Sequence, residues 1–480
     1  MDEWEDSNDN GNGEIRASKV YKGSDLYQRN FTERIDDTMT IIPDANAYTE
    51  DSTQSEIIPQ EYLEELRLQL SRINYCMNTA EISDILQILE QIDSKFLSES
   101  DIRNIVQCLP NITTLAPHQN IFELLNQISS DPEKALILSE LDYVQQINFS
   151  QFPDISDEYK IQVSQTVLYM LRCSPDNSEI FYQSFFPVFI PYFTGPSLYK
   201  SPSLAMHLNV AEAFIPMVYK SEPEILLNIF RTFFTFAYRT TSECLLADLH
   251  GICTCIYTVP DFLQEIKDEQ FLNQLKYLAT RRCVTDDRDS REVRQYALVV
   301  FEYIASFTNV KCHDSAYRVI GELLMENLDQ SKSEVCSEAI FLLGFAVANQ
   351  YFLTTVDYIP IIQRFFDLFE NLSVSDQKEW IQSFANILYF VPPMNLEDLI
   401  SKDQFFELLD DCLTYDECSV QERFITALHR ILLSSNTLAH AILEHPEIID
   451  DLNDLASMDS SVIRTRIEAI MNIIKKAGQD

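Results

Sequence analysis

The chain has 480 residues, 46% of them hydrophobic. A single core stops growing at ~250–300 residues, so the polypeptide either divides into domains or builds a repeat array. Only eight glycines occur, which excludes strand-rich folds and phosphate-binding loops that need positive φ or close backbone approach. Thirty-five basic and 75 acidic side chains leave a net charge of −40, a surface that repels nucleic acid and anionic membranes and draws basic partners over a range set by salt.

Residues 1–58 are rich in Asp, Asn, Ser and Thr and poor in apolar periodicity. They cannot bury enough surface to offset ordering entropy, and the reading is a tail that is disordered when free. The opening from Met1 to Asn12 is acidic and polar, unlike a signal peptide. From Ile57 onward apolar residues recur at helical spacing. The longest clean apolar runs, such as Ala339–Ala348, are about ten residues, half of a bilayer span. Of eleven cysteines, Cys253 and Cys255 are closest, with Cys244 nearby. They lie in an apolar helical run without paired zinc-ligand spacing, so they read as packed thiols of a reducing compartment. The expectation is a soluble protein of the cytoplasm, the nucleus or both, with the Asn-x-Ser/Thr triplets at Asn30, Asn111, Asn148 and Asn371 unused.

One small residue marks each of seven successive helical stretches: Ala213, Cys255, Ala297, Ala339, Ala385, Ala427 and Ala469, at intervals of 42, 42, 42, 46, 42 and 42. Four residues after each stands an apolar side chain: Met217, Val259, Phe301, Leu343, Tyr389, Ile431 and Ile473. The next residue is apolar in six of the seven, Asn386 being the exception. In a stacked repeat each unit packs on its neighbours, and a small side chain lets adjacent helices approach while the residue one turn later fills the space between them. Ser331 with Glu334, and Ser419 with Glu422, have capping-box spacing. Pro153, Pro175, Pro223, Pro260, Pro360 and Pro392 fall between helices, whereas Pro216 sits inside one and is expected to kink it. Earlier counterparts are Val167, Leu124 and Ile85, which gives about ten units over 59–480, with Lys475 and Lys476 fitting a polar outer cap. A period near 42 matches the ~40–47 residues of armadillo and HEAT repeats. The fold class expected is all-α, an armadillo/HEAT-type right-handed superhelical solenoid.

No phosphate loop, nucleophile elbow or metal-binding helix motif appears, so no catalytic residue, metal or cofactor is expected. His440 and His445 have poor spacing for joint ligation, and His429 reads as solvated or packed. Asp286/Asp287 and Asp410/Asp411 read as solvated charge near helix ends, and the aromatic stretch Phe181–Phe193 as core. Tyr257, Tyr303 and Phe345, with Asp261, Glu302 and Phe341, fall near a concave armadillo surface, where aromatic faces and carboxylates suit lysine and arginine side chains, or else pack as core.

A tail of about sixty residues ahead of about ten such units resembles importin alpha, the adaptor for basic nuclear-localisation signals. Arg16, Lys19, Lys22, Arg29 and Arg34 carry this resemblance in the tail. They make 16–34 its positive stretch, five basic against two acidic side chains, similar to the opening of that family's importin-beta-binding segment. The resemblance implies protein or peptide partners, basic signals in the groove and importin beta on the tail. The family's cargo ladder is Trp followed four residues later by Asn on third helices. Here the Trp positions hold Ile215, Tyr257, Val299, Phe341, Ile387, His429 and Met471. The Asn positions hold Tyr219, Asp261, Tyr303, Phe345, Val391, Leu433 and Lys475. Two functions follow as expectations: a divergent import receptor, or a general armadillo scaffold.

Overall fold

The computed structural model describes residues 64, 67–68, 97–106, 118–141, 147, 149–173, 176–195, 198, 204–237, 242–280, 288–328, 333–369, 372–396, 403–415, 418–457 and 461–479. Among them every regular element is helical. The tail 1–58, its stretch 16–34 and Ile85 lie outside these residues. The chain forms two compact units, 1–258 and 259–480.

In the first unit a helical stretch at 99–106 precedes α1 (His118–Ser129), α2 (Pro132–Glu140), α3 (Asp157–Cys173), α4 (Asp176–Ser184), α5 (Phe186–Phe193), α6 (Leu204–Ser221), α7 (Pro223–Phe236) and α8 (Ser242–Thr258). The repeat positions Leu124, Val167, Ala213 and Cys255 fall on α1, α3, α6 and α8. These four helices pack in chain order, α1 on α3, α3 on α6 and α6 on α8. They are the third helices of successive repeats. The shorter helices between them form the opposite layer, α7 closing on both α6 and α8. The aromatic stretch is core, as its composition suggests: Phe181, Phe185, Phe186, Phe189 and Phe193 are buried. Phe149 and Phe152 meet Phe185 edge-on at 5.1 and 5.0 Å. Pro216 sits on the exposed side of α6, which runs on to Ser221. An exposed position suits a residue whose ring clashes with the preceding turn.

The second unit contains α9 (Glu269–Thr280), α10 (Arg288–Ser306), α11 (Asp314–Asn327), α12 (Ser333–Ala346), α13 (Gln350–Thr355), α14 (Ile359–Phe366), α15 (Val374–Phe390), α16 (Asp403–Thr414), α17 (Cys418–Ser434), α18 (Asn436–Ile442), α19 (Pro446–Ala456) and α20 (Ser461–Ala477). The marked alanines again fall on the helices that stack: α10 on α12, α12 on α15, α15 on α17 and α17 on α20. Second helices stack in parallel with them, α9 on α11, α11 on α14 and α16 on α19. Short helices or 3₁₀ turns at Pro260–Glu265, α13, Pro393–Asn395 and α18 serve as first helices. This three-helix layer, repeated with a period near 42, is the armadillo arrangement.

Five of the seven seam residues behave as the packing reasoning requires. Cys255, Ala297, Ala339, Ala385 and Ala427 are buried. Ala213 and Ala469 are partly exposed, and no described helix stacks on the far side of α20. Asn386, the polar exception, has a role that its type predicts. Its Nδ2 donates to the Gly344 carbonyl one layer back at 3.0 Å, and the neighbouring Ser383 Oγ donates to the Ile340 carbonyl at 2.9 Å. Gly344 leaves room for that hydroxyl, since a Cβ there would lie 2.6 Å from Ser383 Oγ. Asn349 links layers in the same way, accepting from Tyr351 N to cap α13 and donating to Ala305 O at 3.0 Å. Trp380 is fully buried, stacked on Phe365 at 4.6 Å, with its indole N–H donating to Phe365 O at 2.9 Å. The capping-box expectation is shifted at one site: α17 starts at Cys418, which places Ser419 inside the first turn. At the other, Ser331 lies outside the described residues.

Enlarging a buried seam residue therefore forces two layers apart. Ala297→Leu and Ala339→Leu should each lower stability by about 1–3 kcal/mol, whereas Ala469→Leu should cost less than about 0.5 kcal/mol. Urea unfolding midpoints of the three variants check this ordering.

Candidate protein-binding face

In each unit the third helices stack in chain order. In the first unit polar residues one layer apart form rungs. Gln162 Nε2 of α3 donates to Glu123 Oε1 of α1 at 2.6 Å, and Asn126 Nδ2 donates to Gln165 Oε1 at 2.9 Å. Spacing of three residues on each helix puts both rungs on one part-exposed strip. Between α6 and α8 the strip continues with Glu212, whose Oε1 lies 2.7 Å from His250 Nδ1 and accepts from Thr254 Oγ1 at 3.0 Å. Burial alone would raise the Glu212 carboxyl, but His250 and the Thr254 hydroxyl bring it below the usual carboxylate range. Tyr219 and Tyr257 are each 49% exposed at the C-terminal ends of α6 and α8.

In the second unit Asp376 Oδ1 of α15 accepts from Ser337 Oγ of α12 at 2.6 Å, and Arg423 Nη1 of α17 donates to Gln382 Oε1 at 3.4 Å. Two turns on, the Arg430 guanidinium lies over the Tyr389 ring, 3.8 Å from its centre. His429 is part-exposed, and burial together with the positive Arg466 on α20 lowers its pKa.

The six sequence candidates divide sharply. Tyr257 and Asp261 are exposed, the first at the end of the first unit and the second in the 3₁₀ turn that opens the other. Glu302, Tyr303, Phe341 and Phe345 are buried, and this corrects the expectation that they line an accessible surface. The reason is compositional. Ala339–Val347 on and just beyond α12 is apolar all round, and such a helix is covered on every face. Phe341 and Phe345 meet edge-on at 4.9 Å, and Tyr303 stacks on Phe307 at 5.7 Å. The tail candidates Arg16, Lys19, Lys22, Arg29 and Arg34 lie outside the described residues. The rungs and the Arg430–Tyr389 pair were missed by the sequence reading. Their signal was polar residues recurring 38–42 positions apart, one layer on, at part-exposed helix positions.

Cys253 and Cys255 are buried free thiols, and burial raises Cys255 well above its ordinary pKa, which keeps it protonated and unreactive. Among the described residues no group of three His, Cys, Asp or Glu could hold a metal ion, and no helix is long and apolar enough to cross a membrane.

No protein-family model matches the chain, and no curated protein does. Among solved structures, one described as an engineered protein superposes with a TM-score of 0.62 at 17% identity, over 86% of this chain and 99% of that one. A structure from work on the phosphorylation switch that controls the interaction between cadherin and β-catenin gives a TM-score of 0.46 at 9% identity, covering 88% and 99%. Computationally designed armadillo repeat proteins for modular peptide recognition give 0.35 at 16% identity, covering 55% and 99%. At such identities the likeness speaks for the fold alone, and the two lower scores add nothing to it. The class that the repeat defines is an all-α solenoid of armadillo type.

One carboxyl on the second helices titrates in a measurable range. Burial, then a shared hydrogen bond with Asp410 and the charges of Asp454 and Asp450, push Asp451 up to about 7. The folded state thus binds more protons than the unfolded chain between the ordinary aspartate range and that value. Stability from this site is fully present in acid and falls as pH rises through the window. Asp451→Asn should remove the fall and add about 1 kcal/mol at pH 8, a modest figure because the pair is only partly buried. Thermal melts of both proteins from pH 4 to 8 test the sign.

Proposed function

We propose that this chain is a protein-binding scaffold whose third-helix faces receive segments of other proteins. The observation that carries it is the polar strip of rungs on successive third helices, fixed in place by layer-to-layer hydrogen bonds. Preorganised side chains repeated along the third helices of one unit suit an extended segment, because little ordering entropy remains to be lost on binding.

The finer reading, a divergent import receptor for basic signals with importin beta on 16–34, draws support from the unit count, the tail position and the acidic balance. The third helices favour the general scaffold instead. Of the positions where that family places its cargo ladder, Ile215, Tyr303, Phe341, Phe345, Ile387 and Val391 are buried, and none of the fourteen is Trp or Asn.

A panel of labelled peptides of acidic, basic and neutral apolar composition, titrated against the full-length protein, tests the scaffold. Saturable binding of at least one class is expected, weakened about tenfold when Tyr219 and Tyr257 or Arg423 and Arg430 are replaced by alanine. No binding of any class at low salt would overturn it. A lysine-rich signal peptide bound alone, together with importin beta, would restore the import receptor.

A further inference from the structure

The last two repeats are electrically divided. Their second helices, α16 and α19, carry eight carboxylates and no lysine or arginine. Their third helices, α17 and α20, carry six arginines and lysines against Glu422 and Glu468. In a chain of net charge −40, a local excess of cations confined to one layer runs against composition.

Two of these cations lack a carboxylate partner among the described residues. Among the described residues no carboxylate pairs with Arg430 or Arg466, and the guanidinium of Arg430 rests on Tyr389 at 3.8 Å. Stacking holds that guanidinium plane while its edge N–H groups make no hydrogen bond among the described residues. This is the arrangement in which arginine takes a carboxylate bidentately at small entropic cost. Arg466 lies on α20, which packs against α17, and after burial its charge is the second cause that lowers the His429 pKa. Leu433, 66% exposed, follows Arg430 by three residues on the same face of α17.

We propose that the α15–α17–α20 face binds an acidic segment of a partner protein, its carboxylates on Arg430 and Arg466 and an apolar side chain against Leu433. Charge complementarity selects this occupant. A basic segment would meet cations of its own sign, and like-charge juxtaposition is a strong discriminator between partners. The acidic second helices do not compete, because they form the other layer of the same repeats. The inference rests on the scaffold reading and specifies its chemistry at one end of the second unit.

The test uses the full-length protein and a fluorescein-labelled peptide of glutamates and aspartates around a central leucine, followed by anisotropy. Saturable binding is expected that weakens about tenfold or more from low to physiological salt and about tenfold again in Arg430→Glu or Arg466→Glu. Circular dichroism confirms that each variant folds, and the milder Arg430→Gln should fall between wild type and Arg430→Glu. The double reversal should acquire binding of the matching lysine peptide. Glu407→Lys on α16 should leave affinity unchanged. Binding of neutral or basic peptides without the acidic one would overturn this inference and leave the scaffold standing, whereas no binding of any peptide would sink both. Acidic binding that ignores both arginine reversals, or tighter binding of single-stranded RNA of equal charge, would also overturn it.

Discussion

Everything in this structure depends on how closely one third helix can lie against the next. Where the repeat position holds an alanine or a cysteine, that small side chain sets the interlayer distance, and it is buried at Cys255, Ala297, Ala339, Ala385 and Ala427. Close approach brings backbone carbonyls of one layer within reach of side-chain donors of the following one. Asn386 and Ser383 use this directly, and Asn349 adds a helix cap to the same task. Apolar seams thus fix the spacing, and a few buried amides and hydroxyls fix the register. Each such group is satisfied, without which its burial would cost more than the seam contributes.

The period was legible because stacking imposes the same steric demand at every layer, and a steric demand leaves its mark in residue size. The aromatic stretch Phe181–Phe193 was legible as core for a similar reason, since nothing in it is polar enough to want water apart from Tyr182, Gln183, Ser184 and Tyr192. The accessible face was much less legible. Tyr303, Phe341 and Phe345 have the right types at the right phase for a groove, yet they are buried, and phase alone cannot tell a groove from a covered face. The apolar run Ala339–Val347 was the clue, because a helix without a polar stripe has no solvated side to offer. Asn386 looked like a defect in the pattern until its partner, a glycine carbonyl forty-two residues earlier, was seen.

Charge follows the layers rather than the overall composition. A net charge of −40 suggests a uniformly acidic rod that favours basic partners. At the level of helices the carboxylates of the last two repeats crowd onto α16 and α19, where burial and then the neighbouring Asp410 push Asp451 up to about 7. The arginines and lysines gather on α17 and α20. Segregation of this kind separates a solvated, repelling outer layer from a face able to attract, and it is invisible to any sum over the sequence.

The most direct measurement of the central claim is a cross-link at one seam. A Cβ on residue 344 would stand 3.3 Å from Ser383 Cβ, close to the ~3.5–4.5 Å of disulfides. The double variant Gly344→Cys/Ser383→Cys, mildly oxidised and digested, should yield the peptide pair joining α12 to α15 as the main new cross-link. If residues 344 and 383 instead remain reduced while surface thiols oxidise, the third helices do not nestle as described and the layered account is contradicted.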